Sequence, residues 1–322
     1  IMDSEYKGYN KYTSPNITDY GPTSVLAVVN IMTCVLGLAG NSLVIWICGW
    51  KMKKTKMNKK VIMTWYISLA VSNLLFCAFL PTFVYYFLTY HWPFGSLLCK
   101  LTYFMLNFNM YSSVFLLVLI SVDRFVLVMF PVWSRNHRSP WKASVMVAAM
   151  WTLSALLSFP TGIYSSTIDH KSTIVCYPDY NTDQRRAIAL TRFFCGLVSP
   201  FLIIAACGVG LVMKLKNKTL KSAKPYKIMS ALIGSFFVCL VPYHIFKVMA
   251  VDHTKHDINV IITGMKVGQT LAAANSIIST VLYVFLDNEF RATLKQLLAS
   301  RTEAALADLP KSKPKKKKLA TH

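Results

Sequence analysis

Three basic side chains, Arg192, Lys247 and Lys266, lie inside long apolar stretches of this 322-residue sequence. A buried guanidinium needs an anion, and its planar fork meets a carboxylate through two parallel hydrogen bonds that supply direction as well as energy. The chemistry these residues suggest is anion recognition, with Lys247 and Lys266 adding positive potential. A salt bridge from Arg192 to Asp183, or extension of its head group to an aqueous edge, is the competing reading. A second ionic pair, Asp123-Arg124, closes another apolar stretch. An arginine there is costly in lipid unless paired, so Asp123 is expected to stabilise it as a neighbour. No Gly-rich phosphate loop, no HExxH and no Ser, His and Asp set at one depth accompanies these residues, so neither an enzyme nor a metal or cofactor site is expected.

The elements that must position these side chains are membrane helices. Hydrophobic residues make up 54% of the chain and charged residues 15%, far from soluble averages. A spanning helix needs about 20 mostly apolar residues, because hydrocarbon offers no partner to a bare peptide group. Seven stretches qualify: Ser24 to Trp50, Val61 to Thr89, Leu97 to Phe130, Ala143 to Tyr164, Ile188 to Met213, Met229 to Val251 and Ile258 to Phe285. The seventh is diluted by Lys266, Gln269, Asn275, Ser276, Ser279 and Thr280, which requires those groups to face a bundle interior. The expected fold is an all-α seven-helix membrane bundle.

The formal net charge of +22 would suggest nucleic acid in a soluble protein. Its distribution argues otherwise. Lysines 51, 53, 54, 56, 59 and 60 follow the first span; Arg135, Arg138 and Lys142 surround the third-to-fourth connection; lysines 214 to 227 separate spans five and six; and lysines 311 to 318 fill the tail. The alternate connections carry Asp169, Asp179, Asp183, Asp252 and Asp257. By the positive-inside rule the basic connections are cytoplasmic, which places the N-terminus outside a plasma membrane and the basic tail beside anionic lipid. The first 23 residues are polar and aromatic and lack the apolar core of a cleavable signal peptide, so the first span is expected to target the chain. The layout is therefore an outer arm over 1–23, a membrane domain over 24–286, an interfacial helix over 287–299 with Phe290, Leu294, Leu297 and Leu298 on one face, and a basic tail over 300–322.

Six of eight cysteines fall inside spans as small apolar residues. Cys99 and Cys176 fall on the outer, oxidising side and are expected to form a disulfide, with two free thiols as the alternative. Asn16 opens a glycosylation sequon on that same side.

Gly40-Asn41, the LAVSNLL run from Leu69, Asp123-Arg124, Trp151, Pro200, FFVCLVPYH from Phe236 and Tyr283 stand in the order found in rhodopsin-like G-protein-coupled receptors, which the chain resembles over nearly its whole length. HWPFG (His91 to Gly95), SVDRF, PVWSRNHRS, KPYK and LAAANS look like the chemoattractant branch, nearest to chemerin and chemokine-like receptors, with formyl-peptide and anaphylatoxin receptors close by.

That resemblance implies a ligand pocket at the outer mouth. Arg192 would meet a ligand carboxylate, Tyr86, Tyr103, Asn107, Met110, Tyr243, His244 and Gln269 would form its walls, and Lys247 and Lys266 would add charge. It implies that Arg124 latches the inactive state and then meets an inhibitory G protein, with arrestin as a further partner, and that Pro200 and Pro242 kink their helices. The chain departs from the family pattern at Asn73, where an aspartate usually holds a sodium ion, at Leu240 in place of a tryptophan, at Gly208 in place of a tyrosine, and at Ser279-Thr280 within the motif ending at Tyr283. Those departures leave three readings: a receptor coupling through altered packing, a binding-only decoy, or an engineered locked sequence. The ligand is a peptide or a lipid mediator. A small transporter or channel is the rival class, against which stand the missing repeat symmetry and the missing pair of membrane carboxylates.

Overall fold

The structure, a computed structural model, describes residues 20–52, 57–170, 173–216, 224–251, 256–286, 292, 294–296, 299–300 and 302. Among them run α1 (Tyr20–Met52), α2 (Met57–Thr89), α3 (Gly95–Met129), the short α4 (Pro131–His137), α5 (Pro140–Ile163), an antiparallel hairpin of β1 (Ser165–His170) and β2 (Thr173–Pro178), α6 (Thr182–Phe193), α7 (Ser199–Lys216), α8 (Lys224–Met249) and α9 (Ile258–Leu286). A π-helical turn, Phe194–Val198, joins α6 and α7 into one rod. Five of the resulting rods are long and apolar enough among the described residues to cross a membrane: α1, α2, α3, α5 and α6–α7. The rods α8 and α9 occupy the sixth and seventh predicted spans. The outer arm with Asn16, the basic tail and most of the interfacial helix lie outside the described residues, although half-buried Leu294 packs on the core.

Most of the predicted boundaries fall within a few residues of the helix ends. The fifth does not: helix begins at Thr182, because Asn181 and Gln184 form a reciprocal capping box. Pro200 removes a backbone donor seven residues beyond α6, and the π-turn lies immediately before it, where the Ser199 N–H reaches back five residues to the Phe194 carbonyl.

Polar residues that looked out of place in the spans are packed inward. Asn73 on α2 uses its whole amide: Nδ2 donates to Asn41 Oδ1 and to the Ser276 carbonyl, each at 3.3 Å, while Oδ1 accepts from Asn109 at 3.1 Å and Ser113 at 3.3 Å. Asn109 also reaches the Ser72 carbonyl, and the Ser72 and Ser112 hydroxyls bond to each other. Four helices are thus joined by neutral groups where charge would be expensive, and Asn275 and Ser276 show why the seventh span tolerates its polar content.

Two helices come into close contact where glycine removes the side chain. A Cβ added at Gly268 on α9 would lie 2.8 Å from the Tyr243 Cα and 2.9 Å from its nitrogen, next to Pro242 of α8. Gly264, one turn away, faces the Phe246 ring. The small-xxx-small spacing lets the two backbones touch.

Candidate functional site

At one end of the bundle the hairpin folds across the mouth. Its register sets Thr167 opposite Cys176, and Cys176 is joined to Cys99 at the start of α3 with Cα atoms 5.8 Å apart, as expected. The HWPFG segment grips the same hairpin. Trp92, 1% exposed, donates its backbone N–H to the Ile174 carbonyl at 2.8 Å and its ring N–H to the Gly95 carbonyl at 2.9 Å, and His91 Nδ1 accepts from the Ile174 amide. Tyr86 stacks edge-on against Trp92, with centroids 5.7 Å apart, and the Tyr103 hydroxyl donates to the Cys176 carbonyl at 3.5 Å. Tyr86 and Tyr103, expected as pocket walls, therefore also fasten the hairpin.

Beneath it lies Arg192. The last turn of α6 directs this side chain into the bundle, where it is 6% exposed and donates from one terminal nitrogen to Asn107 Oδ1 at 2.5 Å. Asn107 is itself held by donation to the Tyr103 carbonyl at 2.7 Å. The Arg192 guanidinium carbon stands 6.0 Å from the Tyr243 ring centroid, and Tyr111 and Tyr180 are within its electrostatic reach. Nε has no hydrogen-bond partner. Among the described residues no carboxylate pairs with Arg192; Asp183 is exposed in the first turn of α6, which removes the salt-bridge alternative. A buried guanidinium with an unbonded Nε donor and no carboxylate beside it is costly unless an anion meets it.

Lys247 approaches the same ring, Nζ lying 5.6 Å from the Tyr243 centroid. Lys266, expected to add positive potential, donates its ammonium to the Tyr90 hydroxyl at 3.2 Å and lies 5.6 Å from the Phe87 and Tyr90 rings. His244 is 1% exposed and packs over Gly196 of the π-turn, beside Met110. Met110, Leu240, Tyr243 and Gln269 line a small cavity that also touches Asn109 and Asn275. Leu240 sits there with a smaller side chain than the tryptophan expected of the family.

At the opposite end the ionic pairing differs from expectation. Asp123 is gripped in both oxygens by Arg138, at 2.8 and 2.7 Å, and the pair is almost fully buried. Arg124 reaches across to α2 and donates to the Tyr66 hydroxyl at 3.0 Å. The planar fork of Arg138 matches a carboxylate better than an adjacent residue on the same helix can, since neighbours along a helix diverge in direction. Pro242 lies inside α8, whereas Tyr283 belongs to α9 and its side chain lies outside the described residues.

Residues 40–283, running from the first span through Tyr283, match the model of the seven-transmembrane receptor family of the rhodopsin type. The chain belongs to the rhodopsin family of seven-transmembrane receptors. Its relatives narrow the branch. Chemerin-like receptor 1 of Mus musculus is 38% identical over 96% of this chain and 88% of its own length. The C3a anaphylatoxin chemotactic receptor of Oncorhynchus mykiss is 33% identical over 93% of the chain and 85% of its own length, and chemerin-like receptor 2 of Mus musculus is 33% identical over 84% and 78%. The receptor is therefore a multi-pass membrane protein of the chemoattractant type and not an enzyme, with an external ligand and a heterotrimeric G protein as partners by family.

Sequence reasoning missed three contributors to the site. Tyr180 carried no visible signal. The Arg138 partner of Asp123 is 15 residues away and unreadable without the fold. The glycines at 264 and 268 were legible as a small-xxx-small pair and were passed over.

Proposed function

We propose that the receptor binds a carboxylate-bearing ligand at the hairpin end, with Arg192 as its ionic anchor, and signals to an inhibitory G protein at the Arg124 end. A peptide C-terminus is the favoured source of the carboxylate. The buried, acid-free surroundings of Arg192 carry this reading, with the spare Nε donor giving the anion a place to bond. The names of the relatives point to chemerin and the C3a anaphylatoxin as the first ligands to try. Asn107 and Tyr243 hold the guanidinium, Lys247 adds charge from beyond the ring, Met110, His244 and Gln269 form the floor, and Tyr86 and Tyr103 hold the hairpin over it. The basic alternation of the connections supports an extracellular N-terminus, a glycosylated Asn16, a membrane domain over 24–286 and cytoplasmic segments over 287–299 and 300–322 at the plasma membrane.

The ligand must bind the open state more tightly than the closed one, since equal affinity shifts no population. Leu240 and Gly208 depart from the family pattern, so coupling in this receptor passes through other contacts, of which the main chain of Tyr243 against Gly268 is one that ties α8 to α9. Nucleotide exchange on a purified inhibitory G protein, with the receptor in lipid nanodiscs, tests the proposal. Acceleration by a chemerin or C3a C-terminal peptide supports it, and binding of such a peptide without acceleration would identify a decoy instead.

A further inference from the structure

Seven buried side-chain polar atoms among the described residues have no hydrogen-bond partner, and three of them gather around one point: Arg192 Nε, His244 Nε2 and the Tyr180 hydroxyl. A buried donor left unbonded is destabilising by roughly 1–3 kcal/mol, so such groups rarely cluster by accident. Arg192 and His244 come from the helices. Tyr180 comes from the linker between β2 and α6, a segment that would ordinarily lie in water with its polar groups exposed.

Its placement is fixed on both sides. The preceding residue, Asp179, donates its N–H to the Tyr164 carbonyl at 2.8 Å, and the following residue, Asn181, is locked by the capping box with Gln184, through bonds of 3.1 and 2.8 Å. Between these two anchors the Tyr180 ring packs edge-on against Tyr164, with centroids 6.1 Å apart, and directs its hydroxyl inward. The hydroxyl stands close enough to the Arg192 guanidinium and to Thr161 to interact with both, without the geometry of a satisfied hydrogen bond to either. Burial pushes the phenol up from its ordinary value, which keeps it protonated and a donor at physiological pH.

We infer that Tyr180 is a specificity-determining residue: its hydroxyl is a second donor to the anion that Arg192 binds, so the ligand's carboxylate is held between α6 and the hairpin linker. This rests on the reading of Arg192 given above. It adds two properties that reading lacks. A phenol and a guanidinium from different elements can each bond one oxygen of a carboxylate, which favours a carboxylate over a carboxamide, because an amide nitrogen in the second position would oppose one donor with another. The same bond ties the hairpin linker to the ligand, so ligand binding fastens the cover of the pocket as well as its floor.

The test uses a probe independent of the natural ligand: N-acetylphenylalanine as free acid and as its C-terminal amide, titrated against purified full-length receptor with thermal unfolding as the readout. Tyr180→Phe removes one oxygen and keeps the ring against Tyr164. The acid should bind the unaltered receptor more tightly than the amide. Tyr180→Phe should weaken the acid about tenfold and leave the amide unchanged, and Arg192→Ala should abolish the preference for the acid. Equal acid affinity in Tyr180→Phe, with the preference lost in Arg192→Ala, would overturn the role of the hydroxyl and leave the Arg192 anchor standing. Retention of the preference in both variants, or no preference in the unaltered receptor, would overturn both.

Discussion

A methyl group placed on Gly268 would come within 2.8 Å of the Tyr243 Cα, so the main chain that carries the ring beside Arg192 is seated directly against α9. Pro242 is the adjacent residue. The candidate anion site, the proline of α8 and the packing of α8 on α9 therefore meet within one helical turn.

Gly268→Ala should displace that seat. Contacts this short involve main chain on the other side, so no side-chain rotation relieves them, and overpacking of this kind destabilises by roughly 1–3 kcal/mol. The expected result is a lower thermal midpoint together with weaker agonist binding. Gly234→Ala, where nothing lies within 4 Å, should leave both unchanged. Gly264→Ala meets only the Phe246 ring, so Phe246→Ala should rescue it, a double-mutant comparison that has no counterpart at Gly268. Equal tolerance of Ala at 234 and 268 would refute the close seat.

Asn73→Asp should make stability depend on sodium. The asparagine donates to Asn41 Oδ1 and to the Ser276 carbonyl, and an aspartate would turn oxygen toward both acceptors. Loss of two donors with a charge left among them is expected to lower stability by roughly 1–3 kcal/mol in choline chloride. Sodium chloride should restore part of that loss in the variant and have little effect on the unaltered receptor. Thermal melts in the two salts at equal ionic strength decide the point, and a strong sodium response in the unaltered receptor would contradict the neutral network.

These two predictions also mark how far the sequence could be read. Seven helices, the bridged cysteines and the cation at Arg192 were legible because lipid penalises exposed peptide groups and isolated charge so heavily that few arrangements survive. The partner choices were not. Lys266 bonds Tyr90, and Asp123 bonds Arg138, because such contacts depend on where helices and loops meet in space. The six-residue outward extension of the fifth span was signalled by Asn181 and Gln184 at capping-box spacing, yet the hydropathy of that segment had assigned it to a loop.

Arg138→Ala should be among the more damaging changes at the Arg124 end. It leaves the Asp123 carboxylate buried without its bidentate partner, a loss of roughly 3–5 kcal/mol when a buried pair is broken on one side. Arg138→Lys should recover only part, since a point charge cannot reproduce two parallel bonds. Thermal midpoint and ligand-free nucleotide exchange are the measurements. The unaltered receptor should melt highest and show the lowest basal exchange. A fully rescued lysine variant would show that charge alone matters there.

The central claim is that Arg192 receives the ligand's carboxylate. The most direct measurement is competition binding, in membranes, of one agonist peptide as free acid and as C-terminal amide to the unaltered receptor and to Arg192→Ala, with surface expression matched. Loss of a buried charge pair at a binding site is expected to weaken the free acid by roughly a hundredfold or more, and should bring acid and amide to similar affinity in the variant. Unchanged affinity of the free acid for Arg192→Ala would contradict the account.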